Sequence, residues 1–354
     1  QFIEQQIHTF IKNYGYGEIR TPVFEETGLF IRGVGKDTDV VSKEMYSWTD
    51  QGNNNLTLKP ELTAPVVRSF IQHKLGRLQP INRLYYIDSL FRRERPQKGR
   101  QRQFHQFGIE AFGSEYPEMD VEVISIAYHI YKSLGITELE VKINSIGSAE
   151  VRPKYLDKLR SKLNNHTEKL CKTCNHRLST NALRVFDCKN TNCQFVLDEF
   201  APVISDFLSE DDRNHFDEVL KLLGDLKIPY TLDNKLVRGL DYYTRTTFEI
   251  TSSALGSQDA LCGGGRYDKL VEQLGGDSTP AVGFAAGVER LLIVLENISK
   301  PIEMSCDIYM VILGDKALSK ALIIAHNLRI DLDLSVITEV SKRSVKAQMK
   351  EANR

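Results

Sequence analysis

Two runs rich in apolar and aromatic residues, Asn82–Phe91 and Gln103–Phe112, flank a loop crowded with arginine: Arg92-Arg93-Glu94-Arg95-Pro96-Gln97-Lys98-Gly99-Arg100-Gln101-Arg102. The pattern predicts two strands joined by a charged loop, and it constrains the fold more than any other stretch. Side chains alternate between the two faces of a strand, so one face can build a core while the other builds a site. Arg92 closes the first strand, which fixes its position, and Phe104 opens the return strand with a ring face available. Gln106 and Glu110 lie four positions apart and therefore share a face.

A length of 354 residues suggests two or three domains. Hydrophobic content of 41% and charged content of 26% suit a globular chain. The net charge of -1 gives no global nucleic-acid footprint, so any RNA partner must meet local basic patches. No apolar run approaches the roughly 18 residues of a membrane span. The opening Gln1-Phe2-Ile3-Glu4-Gln5 is polar and amphipathic, unlike a signal peptide. Of six cysteines, four cluster, which is not a secreted disulfide framework; a reducing, cytoplasmic compartment is expected. The chain does not begin with Met and lacks a closing element, so both ends are read as trimmed.

Residues 1–14 carry apolar positions near helical spacing, ended by Gly15 and Gly17. Glu18–Glu25 then reads as a strand with Pro22 inside it, which restricts it to an edge. Residues 118–145 read as a helix followed by a strand over Leu139–Ile143. Residues 150–226 are helical, charged and cysteine-bearing, and are read as an insertion into a larger domain. The β pattern returns at 229–250 and near 260, and Pro280–Leu295 reads as a strand turning into a helix. A composition break at 297–305 precedes a strand (Asp307–Leu313), a helix (Lys316–Leu328) and a second strand (Leu334–Val340), the start of an α/β domain. The expected division is 1–149, 150–226, 227–300 and 301–354.

Four further stretches carry chemistry. Arg238-Gly239-Leu240-Asp241-Tyr242-Tyr243-Thr244-Arg245 places a guanidinium near paired tyrosines; on a strand one tyrosine lines a pocket while the other packs. In Leu58-Lys59-Pro60-Glu61-Leu62-Thr63-Ala64-Pro65 a carboxylate and a hydroxyl stand two residues apart. Gly283-Phe284-Ala285-Ala286-Gly287-Val288-Glu289-Arg290-Leu291 has small residues where a strand meets a helix, then an arginine able to reach a nucleotide. Cys171-x2-Cys174-x13-Cys188-x4-Cys193, with His176 near, has spacing that could bind zinc tetrahedrally. Taken singly, each has a plainer reading: a surface arginine, a core helix, structural polar groups, free thiols.

Together these stretches resemble the histidyl-tRNA synthetases, class II aminoacyl-tRNA synthetases. The loop after Phe91 is similar to their motif 2, Gly283–Leu291 to motif 3, and Arg238–Arg245 to a histidine-specific signature, with a weaker likeness to motif 1 near Pro22. The resemblance implies an α+β fold: an antiparallel sheet flanked by helices, a helical insertion and the start of a C-terminal anticodon-binding domain. It implies histidine activation by ATP and transfer to tRNA(His), in a homodimer. Arg92, Arg238 and Arg290 are the implied catalytic residues. Glu61, Thr63 and Gln106 would take the amino group of histidine. Glu110 and Tyr243 would take the imidazole, with Tyr267 closing the pocket. Arg92, Glu94, Arg100, Phe104 and Arg290 would hold ATP, with Mg2+ on its phosphates, and Arg95 and Gln97 would meet the acceptor end of the tRNA. His105, between Phe104 and Gln106, should point away from the pocket. Lys59 and Leu62 depart from the family's usual arginine and glycine, leaving the backbone beside Glu61 open. Relatives carry other residues at several of the cysteine positions, so free thiols and no metal are expected.

Two other classes compete. Synthetase-like regulatory subunits of ATP phosphoribosyltransferase share the core but usually lose the catalytic arginines, which are present here. A zinc-dependent RNA-binding protein would account for residues 171–193 alone.

Overall fold

The computed structural model describes residues 2–97, 99–253, 260–298 and 306–353. The chain divides into two compact units, 1–298 and 299–354. In the first, the helix Phe2–Lys12 precedes β1 (Gly17–Glu18). A small sheet follows, built from β2 (Phe24–Glu26), β3 (Ser47–Thr49) and β4 (Asn55–Leu58) in the order β2-β4-β3. The single strand expected over Glu18–Glu25 is therefore two short ones. Pro22 has no N–H to donate to a ladder, and the chain crosses from one sheet to the other there.

β5 (Asn82–Phe91) and β6 (Gln103–Phe112) pair antiparallel along their whole length, as the alternation predicts. The helix Pro117–Ser133 and β7 (Leu139–Ser145) come next. After the helical segment lie β8 (Tyr230–Leu232), β9 (Thr244–Ser252), β10 (Ala260–Arg266) and β11 (Ala281–Gly287). The large sheet runs β1-β5-β6-β11-β10-β9-β7-β8. Its end pairs, β1 with β5 and β7 with β8, are parallel, and its interior pairs are antiparallel.

One face of this sheet is apolar. Tyr85, Phe107, Ile109, Ile143, Phe248, Ile250, Val282 and Phe284 pack there beneath the buried stripe of Pro117–Ser133 and Ile3, Ile7 and Ile11 of the first helix. Arg266 is fully buried and pairs with Asp120 of the helix Pro117–Ser133 and with Asp268, so β10 is tied to the layer above it. Breaking such a pair costs about 3–5 kcal/mol, because one charge is left buried alone. The other face carries Gln106, Glu110, Gly263, Glu249 and Gly283, and is left for a site.

The helices Arg152–Leu163, Lys172–Thr180 and Thr191–Phe200 send Tyr155, Leu159, Leu163, Leu178, Val196 and Leu197 into an apolar cluster that also holds Leu62, Val66, Phe70, Tyr86 and Phe112 from around the sheet. The next helix, Glu210–Asp225, lies within the expected insertion but sends Val219 and Leu223 into the core on the sheet. In the second unit β12 (Ile308–Met310) and β13 (Val336–Thr338) pair parallel around the helix Asp315–Asp331, shorter strands than the pattern predicts. Of the composition break at 297–305, residues 299–305 lie outside the described residues.

Candidate active site

The polar face of the sheet floors a cleft of ≈ 420 Å³. Glu61, Thr63, Arg92, Glu94, Arg100, Phe104, Gln106, Glu110, Arg238, Tyr243, Tyr267 and Arg290 all line it. They come from the start of the helix Thr63–Gln72, both sides of the β5–β6 loop, the turn before β9, the end of β10 and the start of the helix Val288–Ile298.

One end is a carboxylate–hydroxyl network. Glu110 is buried on β6 and accepts from Thr63 Oγ1 at 2.7 Å, from Tyr86 at 3.1 Å, and from Tyr267. Burial pushes its carboxyl up to about 8, although these three hydroxyls favour the ionised form. Glu61 turns toward the helix Thr63–Gln72 and accepts the N–H groups of Thr63 (2.8 Å) and Ala64 (2.9 Å). Burial raises it to about 7 against those two bonds. Gly283 faces Glu110 across the β6–β11 ladder, and a Cβ there would overlap the Glu110 carboxylate. Leu62 is buried in the adjacent apolar cluster, and Lys59 is buried against Asp88 and the Thr21 carbonyl. Of the two departures from the family pattern, Lys59 is thus a structural residue outside the lining, while Leu62 lines the cleft as it packs into that cluster.

The other end is cationic. Arg92 donates from Nε to the Pro60 carbonyl at 2.8 Å, and its guanidinium carbon lies 5.3 Å from the Phe104 ring centroid. Glu94 lies 3.3 Å from Arg100 and 3.9 Å from Arg92. Arg290 donates to the Ala260 carbonyl at 2.9 Å; burial, then the charge of Arg100, lowers its pKa. Arg238 pairs with Glu249, and a Cβ at Gly263 would collide with its guanidinium. Nε of both Arg100 and Arg238 is buried with no hydrogen-bond partner among the described residues. A cleft that crowds guanidinium groups and leaves buried donors unmet is built for an anion that arrives with the ligand.

The sequence profile of the histidyl-tRNA synthetase family matches residues 1–291. The chain belongs to the histidyl-tRNA synthetase family. It is 48% identical to a histidine–tRNA ligase of Halothermothrix orenii over 357 aligned positions, covering all of this chain and 84% of that one. A histidine–tRNA ligase of Syntrophotalea carbinolica is 46% identical, with all of this chain and again 84% of the relative covered. Among solved structures, apo S. aureus histidyl-tRNA synthetase superposes with a TM-score of 0.80 at 39% identity, covering all of this chain and 84% of that one.

Within this family framework, several neighbours of the expected residues stand out. Tyr242 and Tyr243 do not alternate across a strand: β9 begins at Thr244, the two rings sit 4.6 Å apart, and both line the cleft. Arg245 in the left-handed region (φ 50°) and a register shift opposite Gly265–Arg266 form the irregularity that ends the ladder there. Tyr86 was not singled out in the sequence, yet it sits opposite Gly108 on the face that carries Glu110. Glu249, Glu289 and Arg184 also line the cleft, the last from the helical insertion. His105 is outside the lining; its Nδ1 lies 2.9 Å from Glu289 Oε1. Arg95 and Gln97 are exposed on the loop and do not line the cleft.

Proposed function

We propose that this chain is an ATP-dependent histidine–tRNA ligase and that the cleft carries both of its half-reactions. The observation that carries the reading is the joining, in one cleft, of a buried carboxylate network with arginines whose donors await an anion. In the first step a carboxylate oxygen of histidine attacks the α-phosphorus of ATP. The bond to the bridging oxygen breaks, and pyrophosphate leaves. In the second, the terminal ribose hydroxyl of tRNA(His) attacks the activated carbonyl and AMP leaves. Such chemistry rests on positioning and charge stabilisation, and no protein base is assigned.

Glu110, Tyr243 and Tyr267 would orient the imidazole, and Glu61, Thr63 and Gln106 the α-ammonium. Arg92 and Arg238 would neutralise charge at the α-phosphate and the substrate carboxylate, and Arg290 would hold the γ-phosphate. Glu94, Arg100 and Phe104 would hold the rest of the nucleotide. Mg2+ fits this site as a passenger on the polyphosphate. The cleft carboxylates Glu94, Glu249 and Glu289 already face Arg100, Arg238 and His105, so most of its ligands would be phosphate oxygens and water. The exposed Arg95 and Gln97 suit the acceptor end of the tRNA. The family's homodimer and a cytoplasmic location belong to the same reading; among the described residues no helix is long and apolar enough to cross a membrane. Histidine-dependent ATP–pyrophosphate exchange, followed by charging of tRNA(His), tests it. Exchange that ignores histidine, or none at all, would refute the ligase.

A further inference from the structure

The helical insertion contains four cysteines that the cleft does not use. Cys171 caps the N-terminus of Lys172–Thr180, and Cys174 lies in that helix's first turn. Cys188 follows the tight turn Ala182–Asp187, and Cys193 lies in the first turn of Thr191–Phe200. All four Sγ atoms fall within 4.8 Å of one another, with those of Cys171 and Cys188 3.9 Å apart. Zinc–thiolate bonds of about 2.3 Å give a tetrahedron whose edges are about 3.8 Å, so the cluster needs only a small contraction. None of the four is in a disulfide, and three are buried.

Three of the sulfurs meet polar donors, which a plain apolar filling would not need. Backbone N–H groups point at three of the sulfurs: Cys171 to Cys193 at 3.1 Å, Cys174 to Cys171 at 3.4 Å and Asn190 to Cys188 at 3.4 Å. Two helix N-termini also converge there, and both kinds of donor stabilise negative sulfur. His176 is exposed and outside the group. Four protein ligands fill a tetrahedron and leave no open position, which is the arrangement of a structural rather than a catalytic ion.

We propose that Cys171, Cys174, Cys188 and Cys193 form a closed, structural zinc site. The spacing allows zinc, but other residues at several of these positions in relatives make free thiols the expectation; convergence in space reverses it. The segment that holds the ligands also reaches the rim of the cleft. Arg177 and Arg184 lie 3.6 and 3.2 Å from Asp39, Asn181 donates to Asp241, and Arg184 lines the cleft. The ion therefore anchors the part of the insertion that braces the loop at Asp39 and the turn before the paired tyrosines. The inference stands independently of the ligase reading.

The test is metal analysis of the full chain, purified without added metal and again after zinc supplementation, beside Cys174→Ser, Cys193→Ser and the control Cys306→Ser. About one zinc per chain is expected in the parent and the control, with near-complete loss in both ligand variants. Should those variants not fold, the parent decides alone. Mercurial titration of its thiols should release one zinc as the four cysteines react, and cobalt substitution should give the visible bands of tetrahedral thiolate coordination. A parent that holds no stoichiometric zinc after supplementation, that holds iron instead, or whose zinc survives both substitutions overturns the site.

Discussion

The two ends of the cleft are built on opposite plans. Around Glu110 every oxygen has a partner: Thr63, Tyr86 and Tyr267 all donate to it, and Gly283 leaves room for its carboxylate. Around Arg100, Arg238 and Arg290 the donors outnumber the acceptors, and two buried Nε atoms are left unmet. The first end is complete without ligand and gains from a cationic or hydrogen-bond-donating guest. The second is electrostatically unfinished and gains from an anion. Because preorganised donors around developing charge contribute most to the rate, and a pre-satisfied pocket contributes mainly to affinity, damage at the two ends should read out differently.

The largest effect belongs to the unfinished end. Arg238→Ala should lower kcat for pyrophosphate exchange by ~10²-fold or more with the fold intact. Exchange within a few-fold of the parent would remove Arg238 from the catalytic set. Next, Glu110→Gln should raise the KM for histidine roughly ten- to hundredfold, the worth of one hydrogen bond to a charged group, and leave that for ATP nearly unchanged. Equal shifts for both substrates would make Glu110 structural and erase the contrast between the ends.

A third outcome concerns pH. Burial raises the folded carboxyl of Glu110 to about 8 and that of Glu61 to about 7, from an ordinary 4.5. The folded chain thus holds protons across an interval in which the unfolded chain has released them, so stability falls as pH rises from about 5 to about 8. Each carboxyl contributes at most ~1.4 kcal/mol per pH unit. Melting temperatures of the ligand-free protein should follow that slope, and Glu110→Gln should flatten it; parallel slopes would contradict the burial argument. The smallest effect is expected outside the cleft. Arg95→Ala, at an exposed position on the loop, should raise the KM for tRNA by roughly two- to fivefold, as for a solvated charge contact. Pyrophosphate exchange should be unaltered, and a fall in it would place Arg95 among the nucleotide contacts.

Much of this site was legible along the chain, because period-two alternation is a local property. Once Asn82–Phe91 and Gln103–Phe112 read as strands, Gln106 and Glu110 had to share a face, and the structure puts both on the cleft. Arg92 at a strand end is visible for the same reason, and Arg290 from the small residues that lead a strand into its helix. Tyr86 was recoverable in principle: pairing it with Gly108 puts it beside Glu110, but that needs the register of the ladder as well as the strands. The paired tyrosines escape the alternation because they precede the strand, and period two holds only inside one.

The sequence by itself determined the sheet's long central strands, the family and the residue types of the cleft, since these depend on periodicity and short motifs. Only the tertiary structure decided which distant groups meet. Glu249 finds Arg238, Arg184 reaches the cleft from the insertion, and four cysteines spread over residues 171–193 converge within 4.8 Å. Each of these meetings joins segments whose relative placement is set by packing across the sheet or among the insertion helices. Spacing along the chain allows such a meeting, as it does for the cysteines, but fixes no distance until the cores between the segments have formed.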